Sequence, residues 1–171
     1  MGLRPLEPDM FSTTTEYALR SMVLLAMRRR ASLTAQQIAT ETKVPIDYLF
    51  KVLQALGRAG LVQAQRGKNG GFSLVSDPAD ISIYDVVQAV DPIKRIAKCP
   101  LGLKAHGVRL CSLHRKLDDA MGHIEDAFSS ASLADLIDDS SPIRPLCASE
   151  IVAPTKIKLL STARDSHAKP V

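Results

Sequence analysis

The chain has 171 residues, of which 46% are hydrophobic; with no Trp and only 4% aromatics, its core must be mostly aliphatic. No apolar run approaches the ~20 residues that span a bilayer. Met1-Gly2-Leu3-Arg4-Pro5 lacks the apolar stretch of a secretory signal, and three cysteines without framework spacing argue against a disulfide scaffold, so the cytoplasm is the expected compartment. The net charge of +4 says little until it is divided along the chain. Residues 10–76 hold nine Lys and Arg against three Asp and Glu, a balance of +6, whereas residues 77–141 hold seven against eleven, a balance of −4.

Residues 1–11 show no periodicity and read as a flexible leader, with Met10 as an alternative start. Thr13-Thr14-Thr15-Glu16 offers a capping box, and Ala18, Leu19, Met22, Val23, Leu25 and Ala26 predict a helix to about Arg28. Arg28-Arg29-Arg30 suits either the helix dipole or phosphate, and both readings stand open. Thr34 and Gln37 form a second capping box for a short helix with Ile38 and Ala39 inside. Lys43-Val44-Pro45 breaks that helix, and Pro45 fits the first turn of the next, where its missing N–H is not needed. There Ile46, Leu49, Val52, Leu53 and Leu56 form the core stripe, Asp47, Tyr48, Lys51, Gln54 and Arg58 lie outside it, and Gly60 stops the helix.

Val62 and Ala64 alternate with Gln63 and Gln65 in strand fashion, and Phe72 and Leu74 alternate on the return. The tip between them, Arg66-Gly67-Lys68-Asn69-Gly70-Gly71, turns on glycines and carries positive charge at Arg66 and Lys68. Helix, turn, helix and charged hairpin in this order predict a winged helix-turn-helix over residues 12–91 that binds double-stranded DNA, with a helix for the major groove and a hairpin tip beside it. The competing reading is a winged module that binds protein and no DNA. An enzyme is not expected. Gly67-Lys68-Asn69-Gly70-Gly71 joins two strands and opens no helix, so it is no phosphate cradle, and His114 with Asp118 or Asp119 is only a one-turn helical pair. No small-molecule substrate and no membrane partner are implied.

Ser82 and Asp85 cap a helix with Ile83, Val86, Val87 and Val90 on one face, ended by Asp91-Pro92. Residues 92–112 form a long loop holding two of the three cysteines; loops of such length are usually functional or disordered, and this one is expected to be a sensor loop. Leu113, Leu117, Ala120, Met121, Ile124 and Phe128 define an amphipathic helix, and Ser132 starts a short final one at 133–137. Residues 113–139 are expected to dimerise through Leu113, Leu117, Met121, Ile124 and Phe128, and a two-fold dimer matches a palindromic operator. The alternative is that this helix folds back onto its own winged domain. Residues 140–171, rich in proline and holding Cys147, read as a disordered tail. The expected fold is therefore mainly α with a small two-stranded β-wing and a long dimerisation helix.

The chain resembles the Rrf-two family of bacterial winged-helix regulators. The likeness is carried by Glu16-Tyr17-Ala18-Leu19-Arg20, Tyr48-Leu49 through Leu53, Gly60-Leu61-Val62, Arg66-Gly67, and Gly70-Gly71-Phe72-Ser73-Leu74. It continues in Cys111-Ser112-Leu113-His114 and Leu133-Ala134-Asp135-Leu136, and covers about Phe11 to Ile137. The resemblance implies a dimeric transcription factor, usually a repressor. By position it turns Pro45, Asp47, Tyr48 and Lys51 toward the major groove and sets Arg66 and Gly67 at the wing.

Cluster-binding members of the family carry three evenly spaced cysteines in the loop. This chain keeps the outer two, Cys99 and Cys111, with Ala105 in the middle and His106 beside it. His114 matches a histidine that resembles a ligand in some relatives, and Glu16 falls where certain relatives use an acidic residue from the partner subunit. Three readings stay open. Cys99, Cys111, His114 and Glu16 hold a two-iron iron–sulfur cluster across the dimer; Cys99, His106, Cys111 and His114 hold zinc; or the loop holds no metal, and its two thiols are spare or close a disulfide.

Overall fold

Helix α1, Thr13–Met27, is the element around which the others pack. Every residue from Ser21 to Ala26 is buried, and a helix covered on all sides has lost its solvent face. Ser21, the one polar member of that run, donates its hydroxyl to the Tyr17 carbonyl at 2.7 Å and so leaves nothing unsatisfied inside. The computed structural model describes residues 11–29, 31–67, 70–100, 102, 109–138 and 145–146. Arg30, Lys68, Asn69, Ala105, His106, Cys147 and nearly all of the expected leader and tail lie outside the described residues.

The cap of α1 corrects the expected box by one residue. Ser12 is the N-cap, and its side chain accepts from the Thr15 N–H. Thr15 and Ala18 are buried, which fixes the helix rotation and leaves Glu16 outside on the first turn. Helix α2, Ala35–Thr42, follows with the capping box in place: Thr34 Oγ1 accepts from the Gln37 N–H at 3.2 Å, and Gln37 Oε1 accepts from the Thr34 N–H at 2.8 Å. Lys43 ends it in the left-handed conformation, at φ 60°. Pro45 is the N-cap of α3, Ile46–Arg58, one position earlier than the first turn expected of it. Because the residue before a proline avoids helical geometry, α2 and α3 cannot merge into one rod.

On α3 the buried set is Leu49, Val52, Leu53 and Leu56, with Ile46 at the margin of the core. Gly60, at φ 76°, supplies the left-handed turn into strand β1, Val62–Gln65. It pairs antiparallel with β2, Gly71–Leu74, in the register Val62↔Leu74, Gln63↔Ser73, Ala64↔Phe72 and Gln65↔Gly71. Leu33 adds a bridge beside β2, since Leu33 and Phe72 exchange N–H···O bonds of 3.0 and 2.7 Å. Gly71 makes that approach feasible, because a Cβ there would lie 2.5 Å from the Leu33 carbonyl oxygen.

After a single 3-10 turn at Pro78–Asp80 comes α4, Ile83–Val90, with the expected Ser82–Asp85 capping box and Val86 and Val87 buried. The chain then leaves the core, runs through the cysteine loop, and forms α5, Ser112–Ser129. It returns by two backbone bonds. The Ile83 N–H donates to the Ala131 carbonyl and the Leu133 N–H donates to the Ile81 carbonyl, each at 2.9 Å. Helix α6, Leu133–Asp138, packs into the same core as α1: Leu133 is fully buried, and Leu136, Ile137 and Leu146 lie against it. Among the described residues no helix is long and apolar enough to cross a membrane.

Leu133→Ala should therefore cost the winged core about 2–5 kcal/mol, the usual range for emptying a buried leucine site. Urea unfolding followed by circular dichroism measures this. A loss under about 1 kcal/mol would mean that α6 only rests on the surface.

Candidate nucleic-acid interface and cysteine centre

The outward face of α3 carries Asp47, Phe50, Lys51, Gln54 and Arg58, all exposed and all on one helical stripe. Tyr48 stands beside this stripe and is held there. Its hydroxyl is hydrogen-bonded to that of Thr14, and its ring meets the Tyr17 ring edge-on at a centroid distance of 5.5 Å. Lys51 Nζ lies 5.9 Å from the Tyr48 ring centroid, a cation–π contact that steadies its long side chain. Pro45, Asp47, Tyr48 and Lys51 line one cleft with Thr13 and Tyr17. At the wing Arg66 and Gly67 are exposed, and Gly67 takes φ 113°; Lys68 is outside the described residues.

The basic residues of this half divide into two groups. Arg28 pairs with Glu41 at 3.3 Å and Arg29 with Asp77 at 3.1 Å, so the first two arginines of the run after α1 are turned to neighbouring carboxylates. Among the described residues Lys51, Arg58 and Arg66 enter no ion pair. Among the described cations of this half, Lys43 after α2 and those of α3 and the wing are left to meet an outside anion.

The second constellation forms where the loop meets α5. Cys111 is the N-cap of α5 and His114 stands one turn further on, so both side chains reach the same side. His114 Nδ1 is 3.3 Å from Cys111 Sγ and 3.9 Å from the sulfur of the buried Cys99. No disulfide joins the two cysteines. Two thiols and an imidazole suit iron or zinc in kind, and among the described residues these three donors come together. Among the described residues no group of three or more His, Cys, Asp and Glu meets the geometry of a metal site. Within the chain Glu16 pairs with Arg20 at 2.8 Å on the surface of α1.

Arg95 ties the start of the cysteine loop to α5, a contact that reading the sequence missed. Its guanidinium grips Asp118 in a bidentate pair, at 2.8 and 2.7 Å, and reaches Glu125 at 3.2 Å. The Ile96 N–H donates to the same Asp118 carboxylate at 2.8 Å, and the Tyr84 hydroxyl donates to Glu125 at 3.3 Å. The arginine lies across Gly122, where a Cβ would come within 3.2 Å of it. Two carboxylates seven residues apart with a glycine between them were the available signal. The Arg95 side chain, and after it the Ile96 N–H, holds the Asp118 carboxyl below the usual carboxylate range, while Asp118 and then Glu125 raise the guanidinium further above its own. Asp118 is thereby committed to Arg95, which removes it as a partner for His114.

Helix α5 keeps an apolar stripe that its own chain covers only in part. Leu113 is 62% and Leu117 47% exposed, while Met121, Ile124 and Phe128 are half-buried. Phe128 meets Phe11 at a ring-centroid distance of 5.3 Å. No residue of α5 is fully buried.

Residues 11–139 match the family model Rrf2, described as an iron-dependent transcriptional regulator. A protein of Aquifex aeolicus assigned as an HTH-type transcriptional regulator is 31% identical over 130 residues, which is 74% of this chain and 90% of that protein. The HTH-type transcriptional regulator NsrR of Bacillus licheniformis is 30% identical over 135 residues, 77% of this chain and 94% of its own. The solved structure of T. potens IscR superposes with a TM-score of 0.64 over 82% of this chain and 90% of its own, at 24% identity, which is a likeness of fold. These relatives are transcription regulators and not enzymes.

The Arg95 clasp has a definite pH dependence. A carboxyl whose folded-state pKa is lowered stabilises the fold at pH values above its unfolded pKa and loses that contribution as the pH falls. Wild type should exceed Asp118→Asn in stability at neutral pH, and the gap should close as the pH drops below about 3.9, the ordinary aspartate value. Urea titrations of both proteins from pH 7 to 3 test this, and a constant gap would remove the clasp as its source.

Proposed function

The chain belongs to the Rrf2 family of transcriptional regulators, and from that premise we propose that it is a homodimeric repressor reading a palindromic operator in double-stranded DNA. The observation that carries this reading is the outward face of α3 together with the wing. There Lys51, Arg58 and Arg66 have no ion-pair partner among the described residues, while the neighbouring arginines do. In this reading Pro45, Asp47, Tyr48 and Lys51 face the major groove. Tyr48 orients Lys51, and Asp47 is suited to accept from the amino group of a cytosine. Arg66, Gly67 and Lys68 take the wing to the backbone or minor groove.

Assembly follows from α5. An apolar stripe running from Leu113 to Phe128, half open on the single chain, is what a second copy of the same helix covers. A two-fold axis through such a pair presents two α3 helices to half-sites related by the same symmetry. The regulatory centre is the Cys99, Cys111 and His114 trio. These residues would hold an iron–sulfur cluster, with Glu16 of a second copy completing the set, and a bound cluster supplies a one-electron redox and ligand-exchange centre there. A dithiol switch is the second reading, favoured by both sulfurs reaching one imidazole nitrogen. In either case a centre that prefers one arrangement of the winged domains shifts their population by that difference in affinity.

Operator binding and assembly can be tested together. Arg66→Ala should weaken binding to an operator selected from random duplex by about 1–3 kcal/mol if Arg66 reads a base edge. Ile124→Glu should yield monomers or insoluble protein, since an unpaired carboxylate is costly at an apolar seam. Wild type that sediments as a monomer at micromolar concentration would end the dimer reading, and absence of binding to any duplex at low salt would leave a protein-binding module.

The centre has its own experiment. Protein purified anaerobically should carry iron and sulfide, with a visible absorbance that Cys99→Ala or Cys111→Ala abolishes. Colourless, iron-free protein overturns the cluster. In that event oxidation should join Cys99 to Cys111 and alter operator affinity, and oxidised protein without that disulfide overturns the switch.

A further inference from the structure

The exposed stripe of α3 contains one residue that fits neither the core nor a solvated surface. Asp47, Phe50, Lys51, Gln54 and Arg58 recur at helical spacing along the outward face. Four of them are polar or charged. Phe50, in the middle, is 54% exposed. The core takes Leu49 on one side of it and Val52 and Leu53 on the other, so the ring is left outside by the rotation of the helix.

Its surroundings limit what it can meet. Phe50 borders a groove between α3 and the wing, lined also by Lys51, Leu53, Gln54, Ala64 and Phe72. Lys51 and Gln54 give the groove a polar edge. Lys51 is the cation on its rim among the described residues, and Gln54 is exposed beside it. An apolar groove edged by Lys51, which enters no ion pair among the described residues, suits an anionic polymer that presents small apolar groups better than it suits a broad apolar protein surface. The apolar group that a duplex displays in its major groove is the C5-methyl of thymine.

We propose that Phe50 is a specificity-determining residue that packs against the C5-methyl group of a thymine in each operator half-site. This rests on the DNA-binding reading of α3 and adds to it one identified base and one identified atom. Phe50 reads a methyl group and makes no hydrogen bond; its polar neighbours act on base edges and phosphates.

The test removes the methyl and nothing else. Operators are first selected from a random duplex pool with the full-length protein. Each thymine of one half-site is then replaced in turn by deoxyuridine, and binding is measured by fluorescence anisotropy. Wild type should lose about three- to fivefold in affinity at one such position, the worth of one buried methyl group. Phe50→Ala should bind the thymine and uracil duplexes equally, with the fold intact by circular dichroism as its exposed position predicts. If wild type tolerates uracil at every position, or Phe50→Ala keeps the full thymine preference, the proposal is overturned and the groove is left to a protein partner. Failure to enrich any sequence from the pool would instead overturn the DNA-binding reading, and this proposal with it.

Discussion

Two backbone hydrogen bonds close the molecule. Between α4 and α6 the chain makes a long excursion through the cysteine loop and α5, and it returns where Ile83 and Leu133 donate to Ala131 and Ile81. Leu133 then enters the core against α1, so the excursion starts and ends on the winged domain. Near its start, Arg95 fastens the loop to α5 while Tyr84 of α4 reaches Glu125 of the same helix. The excursion is thus a clipped arch. A change at the cysteines that moves the start of α5 meets an element tied to the winged core through Tyr84 and through the bonds at Ala131 and Leu133.

Local chemistry made much of this fold legible. The Thr34–Gln37 and Ser82–Asp85 boxes are written in residues three apart and need nothing from the rest of the chain. The Ser132–Asp135 pair repeats the pattern at α6, where the Ser132 N–H donates to Asp135 at 2.8 Å. The α1 cap could not be placed as well, because Ser12, Thr13, Thr14 and Thr15 all satisfy the cap preference. The choice among them was made by burial of Thr15, a tertiary fact. The place of α6 was hidden for a related reason, since the three large apolar residues of a short helix do not say which surface it will join.

The candidate interface was legible as charge but not as available charge. Counting basic residues gives the same weight to Arg28 and Arg66, yet one faces Glu41 and the other has no ion-pair partner among the described residues. Phe50 went unnoticed because the stripe was read for what it buries; an apolar residue off the stripe was the signal. Arg95 was harder still. A loop residue meets a helix only once the path of the loop is known, and periodicity does not carry that path.

The same distinction bears on the cysteine centre. Among the described residues three donors come together, and Glu16, the fourth in the proposed dimer, is engaged within its own chain with Arg20 on the surface of α1. An exposed i,i+4 pair of this kind contributes about 0.3–0.5 kcal/mol, so releasing Glu16 to a second copy costs little. The Cys99 thiol is differently placed, buried and 3.9 Å from His114 Nδ1. If a cluster is held here, its stability lies with the two sulfurs, and its dependence on assembly lies with the carboxylate. In the proposed dimer, separating the two copies would then loosen the centre without removing its strongest ligands, which would tie its redox state to its oligomeric state through Glu16.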